Sequence, residues 1–460
     1  MRPVALSQLA IWCEGRHLGD DVEVRAVSTD TRALVPGALF VALRGENFDA
    51  HDFIAEAEAR GASALLLHRD VETRLPRVLC ADTQEALGEI AAGMHKGRTG
   101  VVIALTGSNG KTSVKTLLQG ILSRAGRTYF NPGNRNNEIG LPLAVLDAPE
   151  DAQFAIYEMG AGKPGDIAYL ASIVPPQVAL VNNIAPAHLE RMGSLLGVAE
   201  TKGAIYEALP DDGVAVINAD DAFAAYFAAI SGSRRMLRFA IENDADVRAE
   251  RIAFDENGSR FKLLTPAGDA EIQLPLSGRH NVLNALAASA LALAAGAPFT
   301  AIVEGLAHAE TVKGRQITHR LRSGATLIDD SYNANPGSVT AAIATLAETS
   351  AQTGDEAWLV LGDMKELGAG AARLHGEIGE RARQAGLKKL WTVGELAREA
   401  STSFGVGARH FATQGELITA LRRELRAGMR CLIKGSRSSA MDKIVAALLI
   451  EFQEDTGHAA

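Results

Sequence analysis

The residues best suited to chemistry form one run, Thr106-Gly107-Ser108-Asn109-Gly110-Lys111-Thr112-Ser113, set between the apolar stretch VVIAL (101–105) and the helical pattern VKTLLQGILSRAG. Gly107 and Gly110 allow a tight turn that brings backbone N–H groups against phosphate oxygens, and the positive end of the following helix adds to that attraction. Lys111 is then placed to contact the terminal phosphates as a mobile cation, and the Thr112 hydroxyl to bind Mg²⁺. Only two residues separate Gly107 from Gly110, fewer than in the common phosphate loop. The strand before, the helix after and the Lys-Thr pair still identify a nucleoside-triphosphate site.

Three further side chains are candidates for such a site. Mg²⁺ on a triphosphate takes hard oxygen ligands, commonly carboxylate and water. Glu158 closes the run AIYE, at the strand end where a parallel sheet presents its ligands. Alone it reads as a solvated strand end; beside a phosphate loop the metal role is the better one. His188, in NNIAPAHLE, also follows a strand. Spacing alone assigns it no role, since a lone histidine is more often packed or superficial than a ligand. Lys202, in ETKGAIYEAL, starts an amphipathic pattern and by itself reads as an exposed helix lysine.

The elements that must position these residues alternate. VVIAL is followed by FAIYEM (154–159), VALVNNI (178–184) and VAVIN (214–218), with helix-like stretches between the first three. That order predicts a mostly parallel, helix-covered sheet. In residues 236–276 the alternation of RIAFDENGSRFKLLTP predicts a β-hairpin inserted before a helix from Asn281. Upstream, ALFVAL (38–43) and ALLLH (64–68) flank a helix over Asp52–Arg60, and Lys96-Gly97-Arg98-Thr99-Gly100 reads as a linker. Downstream, TLIDD (326–330), WLVLG (358–362), LWTVG (390–394) and CLIKG (431–435) each end in Gly or Asp before a helix-like stretch. Functional loops then lie at the strand carboxyl ends of an open sheet. The pattern predicts an α/β protein of three domains: 1–97, 98–312 and 313–460.

Bulk properties agree with that division. A chain of 460 residues exceeds one ordinary core. A net charge of -9 with pI near 5.7 argues against a nucleic-acid or anionic-membrane surface. MRPVALSQLAIWCEG has too short an apolar run for a signal peptide, and the Ala-rich Leu283–Ala297 falls short of a membrane span and predicts a buried amphipathic helix. Cys13, Cys80 and Cys431 are isolated, which fits a reducing compartment and neither a disulfide framework nor a zinc site. A cytoplasmic monomer, with no nucleic-acid partner and no membrane insertion, is the expectation.

Together the motifs resemble the Mur ligase family, whose members join amino acids to UDP-muramoyl precursors. The resemblance spans essentially the whole chain. It rests on STDTR (28–32), FVALRGENFDAHDF (40–53), TGSNGKTSVK (106–115), NPGNRNNEIGLPL (131–143), EMGAGKPGDI (158–167) and NNIAPAHLE (182–190). It continues through TKGAIYEAL (201–209), GRHNVLNALAA (278–288), DDSYNANPGSV (329–339), LGDMKELG (361–368) and KGSRSSAM (434–441). The short phosphate loop is also the family's form.

The resemblance implies an N-terminal α/β UDP-binding domain, a central mostly parallel P-loop ATPase domain and a C-terminal Rossmann-like α/β domain. Within the family it points to the members that add D-alanyl-D-alanine to a UDP-N-acetylmuramoyl tripeptide. They use ATP and Mg²⁺ and pass through an acyl phosphate. It further implies that His188 helps bind a second magnesium, and that Lys202 does so if carbamylated. Asn281 and Asn284 match adenine contacts, while Arg315 and Asp330 match positions that reach the ATP phosphates and ribose. Ser28, Asp30, Thr31 and Arg32, with Gly45, Asp49 and His51, match loops around the uridine and pyrophosphate; alone, either loop is an ordinary polar turn. Asn137, Glu138 and Gly140 match a substrate-contacting loop. Asn333, Asn335 and Pro336 follow a strand end, and Arg437, at the start of a helix SAMDKIVAALL, is set to hold the carboxylate of the acceptor dipeptide.

Three rivals remain at this point. The preceding ligase, which adds diaminopimelate or lysine, carries a DNPR-like signature where this chain has DDSYNANP. Folylpolyglutamate synthases share the short phosphate loop but lack a UDP-binding first domain. A nucleotide-binding scaffold without ligase activity would be expected to have lost Lys111, Glu158 or His188, and all three are present.

Overall fold

Continuous branched and small apolar runs form strands that can be buried on both faces, and those runs make the middle of the protein. In the computed structural model, which describes residues 1–45, 47–186, 188–255 and 258–450, the strands Val101–Thr106, Phe154–Glu158, Val178–Val181 and Val214–Asn218 are buried almost throughout. Val101–Thr106 lies between Phe154–Glu158 and Val178–Val181, parallel to both, with Leu105 opposite Glu158 and Thr106 opposite Val181. The phosphate-loop run, Glu158 and Asn182 therefore leave the sheet at one edge. That edge is where open parallel sheets place their ligands.

Among the described residues this sheet has nine strands. In residues 236–276 the expected hairpin is present as the antiparallel pair Val247–Asp255 and Gly258–Thr265, but it belongs to this same sheet and a further strand follows it. Arg235–Ala240 and then Val247–Asp255 continue the parallel part, while Gly258–Thr265 and Gly268–Leu274 extend the same sheet with antiparallel pairing. Glu256 and Asn257, at the expected hairpin turn, lie outside the described residues, as do Glu46 and Ala187 of the motifs above and residues 451–460 of the expected third domain. The third core strand also stops at Val181, short of the expected Ile184, because the amides of Asn182 and Asn183 turn to the phosphate loop. The helix expected from Asn281 begins at Arg279 and runs to Ala294, with Asn284–Ala292 buried without a break. It is apolar nearly all round, and not amphipathic as expected, because the sheet and the helix Lys111–Ala125 enclose it.

The N-terminal sheet contains Arg16–Leu18, Arg77–Leu79, Ala64–Leu67, Leu39–Val41 and Val27–Ser28. The helix expected over Asp52–Arg60 is split into a 3-10 turn, Ala50–Phe53, and the helix Ile54–Ala59, because the Asp49 side chain accepts from His51 N and winds the first turn tightly. The stretch 96–100 is pinned: the Arg98 guanidinium donates to the carbonyls of Ala148 at 2.7 Å, Val145 at 3.2 Å and Pro149 at 3.3 Å. Leu87, Ile90 and Met94 of the helix Thr83–His95 share one apolar core with Leu141 and Val145.

The C-terminal sheet has six strands among the described residues, five of them parallel. Its two edges, Ile317–Arg320 and Ala408–Phe411, are short polar strands with no apolar signature in the sequence. Thr326–Asp330 and Met429–Lys434 run side by side and present Asp330 and Lys434 at their carboxyl ends. No helix among the described residues is long and apolar enough to cross a membrane.

Candidate active site

The phosphate loop needs its two glycines for different reasons. Gly110 has φ +78 and caps the helix Lys111–Ala125; a Cβ there would lie 2.4 Å from Asn284 Oδ1 and 2.6 Å from Asn182 Nδ2. Gly107, at φ +150, passes so close to Asn182 that a Cβ would sit 3.0 Å from its Cβ. The loop is held open from below: Asn109 N donates to Asn183 Oδ1 at 2.9 Å, and Ser108 Oγ donates to Ala185 O at 3.0 Å.

Charge is concentrated beside this loop. Lys111 Nζ donates to Gly107 O at 2.7 Å, and the Thr112 hydroxyl donates to Glu158 Oε2 at 3.0 Å. Lys115, which the sequence reading passed over, puts its ammonium 3.4 Å from the same oxygen, with both side chains at 5% exposure or less. Its position four residues after Lys111, on the same helix face, was the available signal. Asn136 Nδ2 donates to the other oxygen, Oε1, at 2.9 Å, and Asn131 brackets the Glu158 backbone. Burial alone would raise the Glu158 carboxyl, but Lys115, Lys111, the Asn136 bond and Arg315 hold it below its usual value. Glu158 is thus an ionised, buried carboxylate beside the phosphate loop, not a solvated strand end.

Lys202 overturns the reading of an exposed lysine at a helix start. It lies inside the helix Leu195–Glu207 and is 1% exposed. Burial, then the Lys111 charge, lowers its pKa well below the usual lysine value, while Asp166 opposes the shift. His188 stands at the head of the short helix Leu189–Met192 with φ +54. Burial lowers its pKa; the Glu366 charge opposes the shift, and Lys202 and Lys111 add to it. Its Nδ1 is 2.5 Å from Glu366 Oε2, a partner that no sequence signal announced.

The C-terminal sheet meets the loop from the other side. Arg315 Nη2 donates to Thr112 Oγ1 at 3.0 Å, and Asn335 Nδ2 donates to Asn109 Oδ1 at 2.7 Å. Asn335 also caps the helix Pro336–Thr353 through a capping box with Ser338. Lys434 Nζ donates to Asp330 Oδ2 at 2.7 Å and to Asn333 O at 3.0 Å. Burial raises the Asp330 carboxyl against the pull of Lys434. Between the two sheets lies a cavity of about 320 Å³ lined by Ser108–Ser113, Asn281, Asn284, Arg315, Asp330, Asn333 and Asn335 among others. Asn281 Nδ2 donates to Ser277 O at 2.9 Å, and Asn182 Nδ2 donates to Asn284 Oδ1 at 3.1 Å.

The remaining candidates lie outside this cavity. Asn137 Oδ1 accepts from Gly140 N at 2.9 Å and so starts the helix Gly140–Asp147, with Glu138 half-buried beside it. Ser28 and Thr31 flank Asp30, whose carboxylate takes the Arg32 guanidinium at 2.7 Å; that contact and the Arg32 backbone N–H draw its pKa down to about 2. Gly45 N donates to Phe48 O at 2.9 Å, and Asp49 accepts from His51 Nδ1 at 2.7 Å. Arg437 is exposed, 3.4 Å from Asp442 and 5.6 Å over the Tyr332 ring. The helix expected to start beside it begins instead at Asp442, because Ala440 turns left-handed at φ +48.

Known proteins share this fold. Residues 23–95 match the family model described as Mur ligase family, catalytic domain, residues 105–292 the Mur ligase middle domain, and residues 314–437 the Mur ligase, glutamate ligase domain. The UDP-N-acetylmuramoyl-tripeptide--D-alanyl-D-alanine ligase of Escherichia coli (strain K12) is 45% identical over 451 residues, covering 97% of this chain and 99% of that protein. A crystal structure of MurF from Acinetobacter baumannii superposes with a TM-score of 0.92 at 34% identity, covering 98% of this chain and 99% of the other. The MurF ligase from Thermotoga maritima in complex with ADP gives 0.84 at 26% identity, covering 94% and 98%. Sequence, fold and the geometry around Lys111 agree, and this chain belongs to the Mur ligase family.

Proposed function

We propose that this chain is the ATP-dependent ligase that joins D-alanyl-D-alanine to a UDP-N-acetylmuramoyl tripeptide, forming an amide, ADP and phosphate. The observation that carries the reading is the Lys111–Thr112–Glu158–Arg315 cluster: a phosphate loop whose hydroxyl touches a buried carboxylate on one side and, on the other, an arginine just before the first strand of the C-terminal sheet. The resemblance to the Escherichia coli enzyme extends along the whole chain, which supports the dipeptide as acceptor.

In the first step the terminal phosphoryl group of ATP passes to the tripeptide carboxylate, giving an acyl phosphate and ADP. Two anions must approach, so charge neutralisation and positioning supply most of the rate. Lys111 and Arg315 are placed to do this. The neutral amine of the dipeptide then attacks the carbonyl carbon, phosphate departs, and the nitrogen loses its extra proton. The cavity between the two sheets keeps water from the acyl phosphate.

The residues present fit Mg²⁺. Thr112 and Glu158 supply hard oxygens beside the phosphate loop, and His188 with a carbamylated Lys202 would hold a second ion. A buried lysine with a lowered pKa gives up its proton more readily than an exposed one, and only the neutral amine takes up carbon dioxide, which supports that modification. Bound Mg²⁺ would supply charge neutralisation on the triphosphate. Asn281 and Asn284 are assigned to adenine, and Asp330 to the ribose. Residues 28–32 with Gly45, Asp49 and His51 are assigned to the UDP group, Asn137, Glu138 and Gly140 to the muramoyl peptide, and Asn333, Asn335 and Arg437 to the dipeptide. Domain limits of 1–97, 98–312 and 313–460, a monomer and a cytoplasmic location belong to the same reading; the three unpaired cysteines support the last.

The test is the product. Incubation with ATP, Mg²⁺, UDP-N-acetylmuramoyl tripeptide and D-alanyl-D-alanine should yield, by mass spectrometry, the tripeptide nucleotide plus the dipeptide less one water. Hydrolysis of ATP without that product would defeat the proposal.

A further inference from the structure

Glu366 belongs to the loop that follows the strand Glu356–Leu361 of the C-terminal sheet, yet its carboxylate lies 2.5 Å from His188 Nδ1 of the central domain. Two observations separate this contact from a chance meeting of surface side chains. Both residues hold left-handed backbones, φ +64 at Glu366 and φ +54 at His188, which side-chain-bearing residues adopt rarely and at some cost. The loop is also seated: a Cβ on Gly368 would lie 3.4 Å from Glu190 Cα, so the segment rests on the short helix that His188 begins.

The bond decides which ring nitrogen carries hydrogen. A carboxylate only accepts, so a neutral imidazole bound to one through Nδ1 keeps its proton there and its lone pair on Nε2. Histidines that ligate metals commonly donate their second ring N–H to a carboxylate, which fixes tautomer and orientation. Here the carboxylate comes from a different domain than the histidine.

We propose that Glu366 is the positioning residue for His188: docking of the C-terminal domain fixes the Nδ1–H tautomer and leaves Nε2 free to ligate a divalent cation. The histidine ligand is therefore completed only when that domain is seated, so that assembly of the site and closure over the nucleotide are one event. This rests on the ligase reading above, but its first test does not.

The ring nitrogens of the metal-free full chain, labelled with ¹⁵N-histidine and assigned with a His188→Gln variant, report the tautomer directly. Wild type should show Nδ1–H at His188, and Glu366→Ala should shift it to the Nε2–H form that free histidine favours. Direct titration with Mn²⁺ in the presence of ADP should show affinity falling about 10–100-fold in Glu366→Ala, with KM for the dipeptide nearly unchanged while kcat falls. Glu366→Gln, which keeps an acceptor oxygen, should recover most of both. Glu366 is 58% exposed on its side chain, so neither variant threatens folding. An unchanged tautomer, or unchanged Mn²⁺ affinity in Glu366→Ala, would overturn the proposal. A tautomer shift in a protein that turns over no substrate would instead uphold it and sink the ligase reading.

Discussion

Arg315 and Thr112 are 203 residues apart in the chain, yet the guanidinium donates to the threonine hydroxyl at 3.0 Å. Arg315 also lies over the Tyr332 ring at 4.6 Å, and its Nε, buried, has no partner among the described residues. It is a cation delivered by the loop that enters the C-terminal sheet to the phosphate loop of the central one. Arg315→Ala should lower kcat/KM for ATP by about 10²-fold, the scale of one lost charge-stabilising donor. Arg315→Lys should recover only part of that, because a point charge lacks the planar fork. Steady-state kinetics with varied ATP checks both; equal activity in the lysine variant would show that charge alone matters.

Burial of Lys202 makes stability depend on pH. The unfolded chain keeps this lysine protonated up to its usual 10.5, whereas the folded chain has released the proton well below that value. The unfolded state binds more protons in that window, so stability rises with pH there. The contribution is complete above 10.5 and lost as pH falls through the lowered folded value. The slope should reach about 1.4 kcal/mol per pH unit, and Lys202→Met should flatten it. Urea unfolding across that window, without added bicarbonate, measures both slopes; equal slopes would contradict the assignment.

The Asp330–Lys434 pair is buried at 11% and 4% side-chain exposure. Removing one member leaves the other charge without its partner, so Asp330→Asn should cost about 3–5 kcal/mol of stability. An Asp330→Asn, Lys434→Met double variant should be more stable than the single one, since it no longer buries an unpaired ammonium. Thermal unfolding monitored by circular dichroism distinguishes the cases.

What the sequence disclosed follows from the range of each interaction. The phosphate loop was legible because its glycines, Lys111 and Thr112 lie within one turn and its strand and helix flank it. Glu158 was legible once a parallel sheet was assumed, because strand ends in register share an edge. Lys202 was misread because helical position says nothing of what packs over it; only the fold shows that it is enclosed beside Lys111. Arg315 and Asp330 came from the resemblance, not from spacing. Glu366 had no signal at all, since its role depends on a loop of one domain landing beside a histidine of another. The strands Ile317–Arg320 and Ala408–Phe411 were missed because edge strands need no apolar run.

The most direct measurement is phosphate release from ATP with UDP-N-acetylmuramoyl tripeptide, Mg²⁺ and either D-alanyl-D-alanine or single amino acids as acceptor. The account predicts release with the dipeptide alone, reduced by about 10³-fold or more in Lys111→Ala. Release when diaminopimelate or lysine is offered with the dipeptide precursor, or no release with any acceptor, would contradict it.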